Sequence, residues 1–241
     1  MIAEKTIEQD KQIYNCFIDF QKAFDSVPHQ CLWKVLEFYK VPPNIIELLI
    51  ELYAKAESTT LVNGEETEFF RTTKGCRQGC ILSPPLFLFY LEKIINEALE
   101  NHEGGAKVGN NILNNLKFAD DIVLMNTKKE KLQDAINKTN TSSKKYGMKI
   151  NKKKTETMVF CKEENKNKLK MKLEEETLNN VSNFKYLECK FTYDNECSAE
   201  IRNRIALASY AYSKLNKIWK NNRITIKTNL KVLRVCVLKC I

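Results

Sequence analysis

Phe118-Ala119-Asp120-Asp121 lies between two apolar runs, Asn111-Ile-Leu-Asn-Asn-Leu-Lys117 before it and Ile122-Val-Leu-Met125 after it. The flanks read as strands, which puts the two acids at the tight turn of a β-hairpin over roughly 112–126. A turn can aim adjacent side chains at one point, whereas a strand interior sends them to opposite faces. Two uncompensated carboxylates at close range repel, and one takes up a proton unless a cation joins them. Mg2+ is the natural cation for such a hard oxygen site. Asp-Asp in a turn is also ordinary solvated turn chemistry. The pair therefore decides nothing until the rest of the chain supplies a third acid and a substrate.

The 241 residues suffice for one large domain, or for one domain with a small appendage. A hydrophobic share of 43% is ample for a core. The net charge of +9 points to a polyanionic partner, nucleic acid before an anionic membrane, with a generically Lys-rich protein as the plain alternative. Nine Cys without a Cys-x-x-Cys, and two His (His29 and His102) far from any Cys pair, argue against structural zinc. The odd Cys count and the polar N-terminus fit reduced thiols in a nuclear or cytoplasmic, not secreted, protein. No apolar run approaches the ~20 residues of a membrane span, so no membrane partner is expected. Oligomeric state is left open.

Along the chain, a polar helix over 1–12 precedes a buried strand, Tyr14 to Ile18, that ends at Asp19. Pro28 opens a helix, with His29 a helix-start or loop residue. Asn44 is expected to cap the next helix, with Ile45, Leu48, Leu49 and Leu52 inward. Leu61-Val62 and Glu68-Phe69-Phe70 read as strands about an Asn63-Gly64 turn. Ser83 as N-cap and Pro84 at the first helical position start a strongly apolar helix to about Glu100. Lys128 to Tyr146 is amphipathic, with Leu132, Ala135 and Ile136 inward and Gly147 as C-cap. Met148–Ile150 and Thr157–Phe160 read as strands, 162–172 as an exposed loop, and Phe184–Leu187 with Lys190–Tyr193 as a small hairpin. From Ser198, Ile201, Ile205, Ala208, Tyr212, Leu215 and Trp219 mark one helical face. A last helix from about Thr228 is still apolar at Ile241, as in a truncated product. This order argues α+β, helices packed on one face of an antiparallel sheet, followed by a helical appendage.

The third acid is Asp19, at the end of the core strand. A strand-end carboxylate beside a turn-borne pair makes a three-acid site able to hold two cations, as phosphoryl transfer to a hydroxyl requires. Four stretches then follow in order: Asp19-Phe-Gln-Lys-Ala-Phe-Asp25; Gly75-Cys-Arg-Gln-Gly79 with Leu82-Ser-Pro84; Phe118-Ala-Asp-Asp121; and Gly147-Met-Lys-Ile-Asn151 with Lys154-Thr155. Together they resemble the successive motifs of reverse transcriptases of non-LTR (LINE-type) retrotransposons, over nearly the whole chain. Tyr186-Leu187 and Glu200-Ile-Arg-Asn-Arg204 resemble that family's tail.

The resemblance implies a polymerase palm with partial fingers over 1–187 and a truncated helical thumb or connection segment over 188–241. It implies an RNA-directed DNA polymerase using two Mg2+ ions, or Mn2+ in their place, with an RNA template, a DNA primer and deoxynucleoside triphosphates as partners. Asp19 and Asp120 match the principal metal-ligand acids and Asp121 the neighbouring one. The main-chain carbonyl of Phe20 is expected beside metal and triphosphate. Phe24 matches the bulky residue that clashes with a ribose 2′-hydroxyl. Gln78 and Gly79 match the loop near the incoming nucleotide. Arg77 is expected at phosphate or template, with an exposed charge as the equal alternative. Lys154 matches a lysine that neutralises departing pyrophosphate. Asp25, Ser83 and Pro84 are read as structural, and the thumb basics as tracking the nucleic-acid backbone.

Three departures bear on activity. The family carries finger segments upstream whose basic residues bind triphosphate, and this chain begins shortly before Asp19. The usual Tyr-Leu-Gly reads Tyr186-Leu187-Glu188, which places a charge near primer phosphate. Pro85 stands where an apolar helix former is usual, and the second helical position tolerates it. The alternative reading is a catalytically inactive nucleic-acid-binding remnant.

Overall fold

Ile13–Ile18 (β1) is buried along its whole length, with no alternation between faces. A strand covered on both sides reads as a continuous apolar run, and β1 is such a strand. The computed structural model describes residues 2–55, 57–59, 61–163, 168–187, 189–196, 198–221 and 223–240. The elements begin with α1 (Ile2–Glu8), β1, a 3-10 turn (Phe24–Ser26), α2 (His29–Phe38) and α3 (Pro43–Ala54). Four two-residue strands follow, β2 (Glu57–Ser58), β3 (Leu61–Val62), β4 (Glu65–Glu66) and β5 (Phe70–Arg71), then α4 (Ser83–Leu99). Next are β6 (Ala106–Val108), β7 (Asn111–Leu113), β8 (Asn115–Phe118), β9 (Asp121–Asn126), α5 (Lys129–Lys145) and β10 (Glu156–Phe160). Three short strands, β11 (Lys172–Leu173), β12 (Glu176–Thr177) and β13 (Asn179–Asn180), precede the hairpin β14 (Asn183–Tyr186) and β15 (Cys189–Thr192). The chain closes with α6 (Ser198–Lys214), α7 (Asn216–Trp219) and α8 (Ile226–Val232), the last running on into a π turn.

The main sheet has the order β13-β10-β1-β9-β8, so β1 is its centre. Its pairs are antiparallel except β10 with β13. On one face Cys16, Ile18 and Leu124 meet Leu36, Phe87, Ile94 and Ile136 from α2, α4 and α5. On the other face Ile13, Phe17, Val123 and Met158 meet Phe184 and Phe191 of the β14–β15 hairpin. The Phe17 and Phe184 rings stack 3.8 Å apart. Full burial of each such side chain stabilises by about 1.5–3 kcal/mol. The expected α+β class, an antiparallel sheet backed by helices, is the class observed. No helix among the described residues is long and apolar enough to cross a membrane.

Several local expectations give way. Asn44 does not cap α3, which begins at Pro43, where the missing N–H costs nothing. The inward residues of α3 are Ile46, Leu49 and Tyr53, while Ile45, Leu48 and Leu52 are exposed. Its apolar residues occupy more than one side, so spacing alone fits two faces. Ser83 is the first residue of α4 rather than its cap. Leu61–Val62 pairs with Glu65–Glu66 across Asn63-Gly64, and Phe70–Arg71 pairs instead with Glu57–Ser58. Leu169 and Met171 are buried in a stretch expected to be exposed. On α6, Ala208 is buried but Ile201, Ile205 and Tyr212 are exposed.

Candidate active site

The register of the central strands carries the acids together. Ile18 of β1 pairs with Ile122 of β9, so Asp19, just past the end of β1, comes next in register to Asp121, the first residue of β9. Phe118 pairs with Asp121, which leaves Ala119 and Asp120 as a two-residue turn. Ala119 takes φ 52° there, a left-handed conformation that costs an L residue roughly 1–2 kcal/mol. Strain of this kind gathers at functional turns.

The electrostatics agree with the register. Burial raises the Asp121 carboxyl above the ordinary carboxylate value, and the negative charges of Asp120 and Asp19 raise it further. Even so, among the described residues no three His, Cys, Asp or Glu side chains converge on a common point as a metal cage. The raised value has a consequence for stability. The folded state binds this proton more tightly than the unfolded chain. Asp121's contribution is therefore present below its ordinary value of 3.8 and is lost as pH rises through the raised folded value. Thermal melts in divalent-free buffer should show that decline, and Asp121→Asn should flatten it.

Asp19 is held by its backbone from a distant segment. Its N–H donates to the Thr155 hydroxyl at 3.2 Å, and its carbonyl accepts from the Asn151 N–H at 2.7 Å. The Gln21 N–H donates to the Lys149 carbonyl at 2.8 Å. Phe20 and Ile150 face each other between those bonds as an isolated bridge. The Phe20 carbonyl is thereby left out of the ladder that its neighbours make. Asn151 and Thr155 were visible only as part of a quoted motif, and nothing in their residue types announced this clasp.

The loop 72–80 is docked on the segment after Asp19. The Gly75 N–H donates to the Val27 carbonyl and the Cys76 N–H to the Phe24 carbonyl, both at 2.8 Å. Gly75 has φ +95°, and a Cβ there would lie 3.2 Å from the Asp25 Cα and carbonyl oxygen. Gly75→Ala is expected to destabilise the protein by roughly 1–3 kcal/mol, read as a lowered Tm, and to misplace the loop. Gly79 needs its glycine only for φ +83°, since nothing lies within 4 Å of a Cβ there. Gln78 Nε2 donates to Asp25 Oδ1 at 3.1 Å, so Asp25 orients Gln78. The Ser83 hydroxyl donates to the Arg77 carbonyl at 2.6 Å and ties the loop to α4. The Arg77 side chain itself is exposed. Phe24 stacks on fully buried Phe87, centroids 4.3 Å apart and planes 22° off parallel.

Two cavities adjoin these residues. One, of about 570 Å3, is lined by Phe20, Asp25, Lys22, Lys74, Lys149 and Lys154 among others. Four lysines against one carboxylate give its lining a positive balance. Sequence reasoning named only Lys154 of the four, although Lys149 lies within a quoted motif and Lys74 directly precedes Gly75. The other, about 450 Å3, is lined by Phe118, Asp121, Lys185 and Leu187. It joins the acid turn to the β14–β15 hairpin, and the Tyr186 phenol is raised by burial and then by the Asp121 charge. Glu188 lies outside the described residues. Arg77, Gln78 and Gly79 line neither cavity.

A family model described as reverse transcriptase (RNA-dependent DNA polymerase) matches residues 2–191. The Pol polyprotein of the type-2 retrotransposable element R2DM of Drosophila melanogaster is 33% identical over 132 residues, 54% of this chain and 12% of that protein. The Pol polyprotein of the type-1 element R2 of Nasonia vitripennis is 30% identical over 128 residues, 53% of this chain and 12% of that protein. The chain thus spans about an eighth of these relatives' length. Apo telomerase from Candida tropicalis, truncated from its C-terminal domain, superposes with a TM-score of 0.53 at 17% identity, over 79% of this chain and 36% of that one. Telomerase from the same organism in complex with a fragment of telomeric RNA gives 0.50 at 18% identity, over 99% of this chain and 41% of that one. At these identities the likeness concerns the fold.

Proposed function

Because the chain belongs to the reverse transcriptase family, on the branch of the non-LTR retrotransposons, we propose that it adds deoxynucleotides to a primer 3′-hydroxyl opposite an RNA template. The observation that carries this reading is the strand register, which sets Asp19, at the end of the central strand, next in line to the Asp120-Asp121 turn. The donor set fits a divalent cation. It consists of oxygens alone, the charges of Asp120 and Asp19 add to desolvation in raising Asp121, and Mg2+ keeps several waters and substrate oxygens rather than a full protein cage. Asp19, Asp120, Asp121 and the Phe20 carbonyl would hold two Mg2+ ions, or Mn2+. When bound, these ions supply charge neutralisation at phosphate and a lower pKa for the attacking hydroxyl.

The chain's own residues do the rest. Lys22, Lys74, Lys149 and Lys154 attract the triphosphate into the lysine-lined cavity, and Lys154 neutralises the departing pyrophosphate. Phe24, fixed by its stack on Phe87, lies under the sugar. Gln78, oriented by Asp25, reads the incoming nucleotide's edge. Lys185 and Leu187 hold the primer end against Asp121.

Primer extension on poly(rA)/oligo(dT) tests the reading, and a second readout is independent of turnover. Mg2+ at millimolar concentration should raise the Tm of the wild-type chain, by relieving repulsion among the acids, and should leave Asp121→Ala unchanged. A second reading, a nucleic-acid binder without synthesis, draws on the absence of a converged three-ligand cage among the described residues. Salt-dependent duplex binding with no extension under either metal would favour it.

A further inference from the structure

Away from the acids, α2, α3 and the segment Arg71–Lys74 enclose another cavity of about 520 Å3, within the size range of small-molecule sites. Its aromatic walls are His29, Trp33 and Tyr53. The Trp33 and Tyr53 rings lie 5.5 Å apart at 80°, and those of His29 and Tyr53 4.9 Å apart at 84°. The planes therefore form a corner rather than a closed stack. Tyr53 is buried, whereas Trp33 and His29 are half-buried. His29 is fixed in place. Its Nε2 lies 2.9 Å from the Gly75 carbonyl, which can only accept, so that nitrogen carries the hydrogen. Its backbone N–H donates to the Thr73 carbonyl.

The charge around the rim decides what such a corner takes. An aromatic corner ringed by acids suits an ammonium group. Here the lining includes exposed Arg71 and Lys74 and no carboxylate. That combination suits a flat ring attached to an anion, which is a nucleobase with its phosphate. A base must leave its stack to enter, so the strand is unpaired. Lys74 also lines the lysine-rich cavity beside Phe20, so the two cavities share a wall.

We propose that this cavity docks an unpaired base of the single-stranded RNA template, stacked against Trp33, with the adjoining phosphates on Arg71 and Lys74. The identity of that strand as template rests on the function proposed above, while the docking itself does not.

The chain has two Trp, so in a Trp219→Phe background Trp33 is the sole indole. Titration of that full-length chain with oligo(rU) of about 12 nucleotides should quench Trp33 emission to saturation, and an RNA duplex of equal length should not. Trp33→Ala should weaken oligo(rU) binding about 5- to 100-fold, with Trp33→Phe staying within about threefold because a stacking face remains. If the alanine variant does not melt cooperatively, the quench and the phenylalanine variant decide. Binding without quench, equal affinity of wild type and Trp33→Ala, no binding of oligo(rU), or quench by a trimethyllysine peptide instead would each overturn the proposal. Primer extension is run on the same samples. Quench without extension would sink the polymerase reading and leave base docking intact. Extension without quench would do the reverse.

Discussion

Asp120→Ala is expected to lower primer extension by about 10³-fold or more, roughly 4 kcal/mol of transition-state stabilisation, while moving the Tm by no more than ~2 °C. The two halves of that expectation have separate grounds. Asp120 is an exposed residue of a two-residue turn, outside the strand pairing of Phe118 with Asp121. Little packing is lost when it is truncated. What is lost is one of the two charges felt by Asp121, and with it part of the negative charge that the proposed divalent ions would meet at the end of β1. The same substitution removes one of the two charges that raise Asp121. The Asp121 carboxyl should therefore titrate closer to its ordinary value, which a carboxylate NMR titration would read. Steady extension by the variant would mean that synthesis occurs elsewhere.

Phe24→Val is expected to raise the ratio of ribonucleotide to deoxynucleotide kcat/KM by about 10²-fold. A side chain excludes an oxygen only if it cannot swing away. Phe24 meets that condition, since it sits in a 3-10 turn and stacks on Phe87, which is fully buried. Valine removes the ring and opens room for a 2′-hydroxyl, at a stability cost of about 1–3 kcal/mol. Single-nucleotide incorporation with UTP against dTTP measures the ratio. No change would show that the ring does not lie beneath the sugar.

Legibility followed the reach of the forces involved. The acid turn, α4, α5 and the β14–β15 hairpin were visible because turn chemistry and helical period are local. The core strand was visible because burial on both faces leaves a mostly apolar run, broken only by Asn15. The buried face of α3 was not visible. Tyr53 turns inward to meet His29 and Trp33, a choice made by another helix. Burial of Leu169 and Met171 depends likewise on partners outside their charged stretch. At the site, Asp19, Asp120 and Asp121 were legible by type and order. The contacts that hold the apparatus, from Thr155 and Asn151 to Asp19 and from Asp25 to Gln78, join residues far apart in sequence. Asp25 was read as structural, but its partner Gln78, 53 residues on, was not foreseen.

The clasp on Asp19 also sets an order in time. Thr155 lies 136 residues beyond Asp19, and Asn15 of β1 reaches Met158 of β10 across 143. Chains emerge from the ribosome at about 5–20 residues per second. All three acids are therefore synthesised some seconds before the segment that fixes the first of them. During that interval β1 has β9 on one side and an unpaired edge on the other, an open template for association with another chain. A polypeptide released within the interval carries every acidic motif and no finished site. The fixing of Asp19 waits for the segment 151–155 and β10, the last parts of this site to be synthesised.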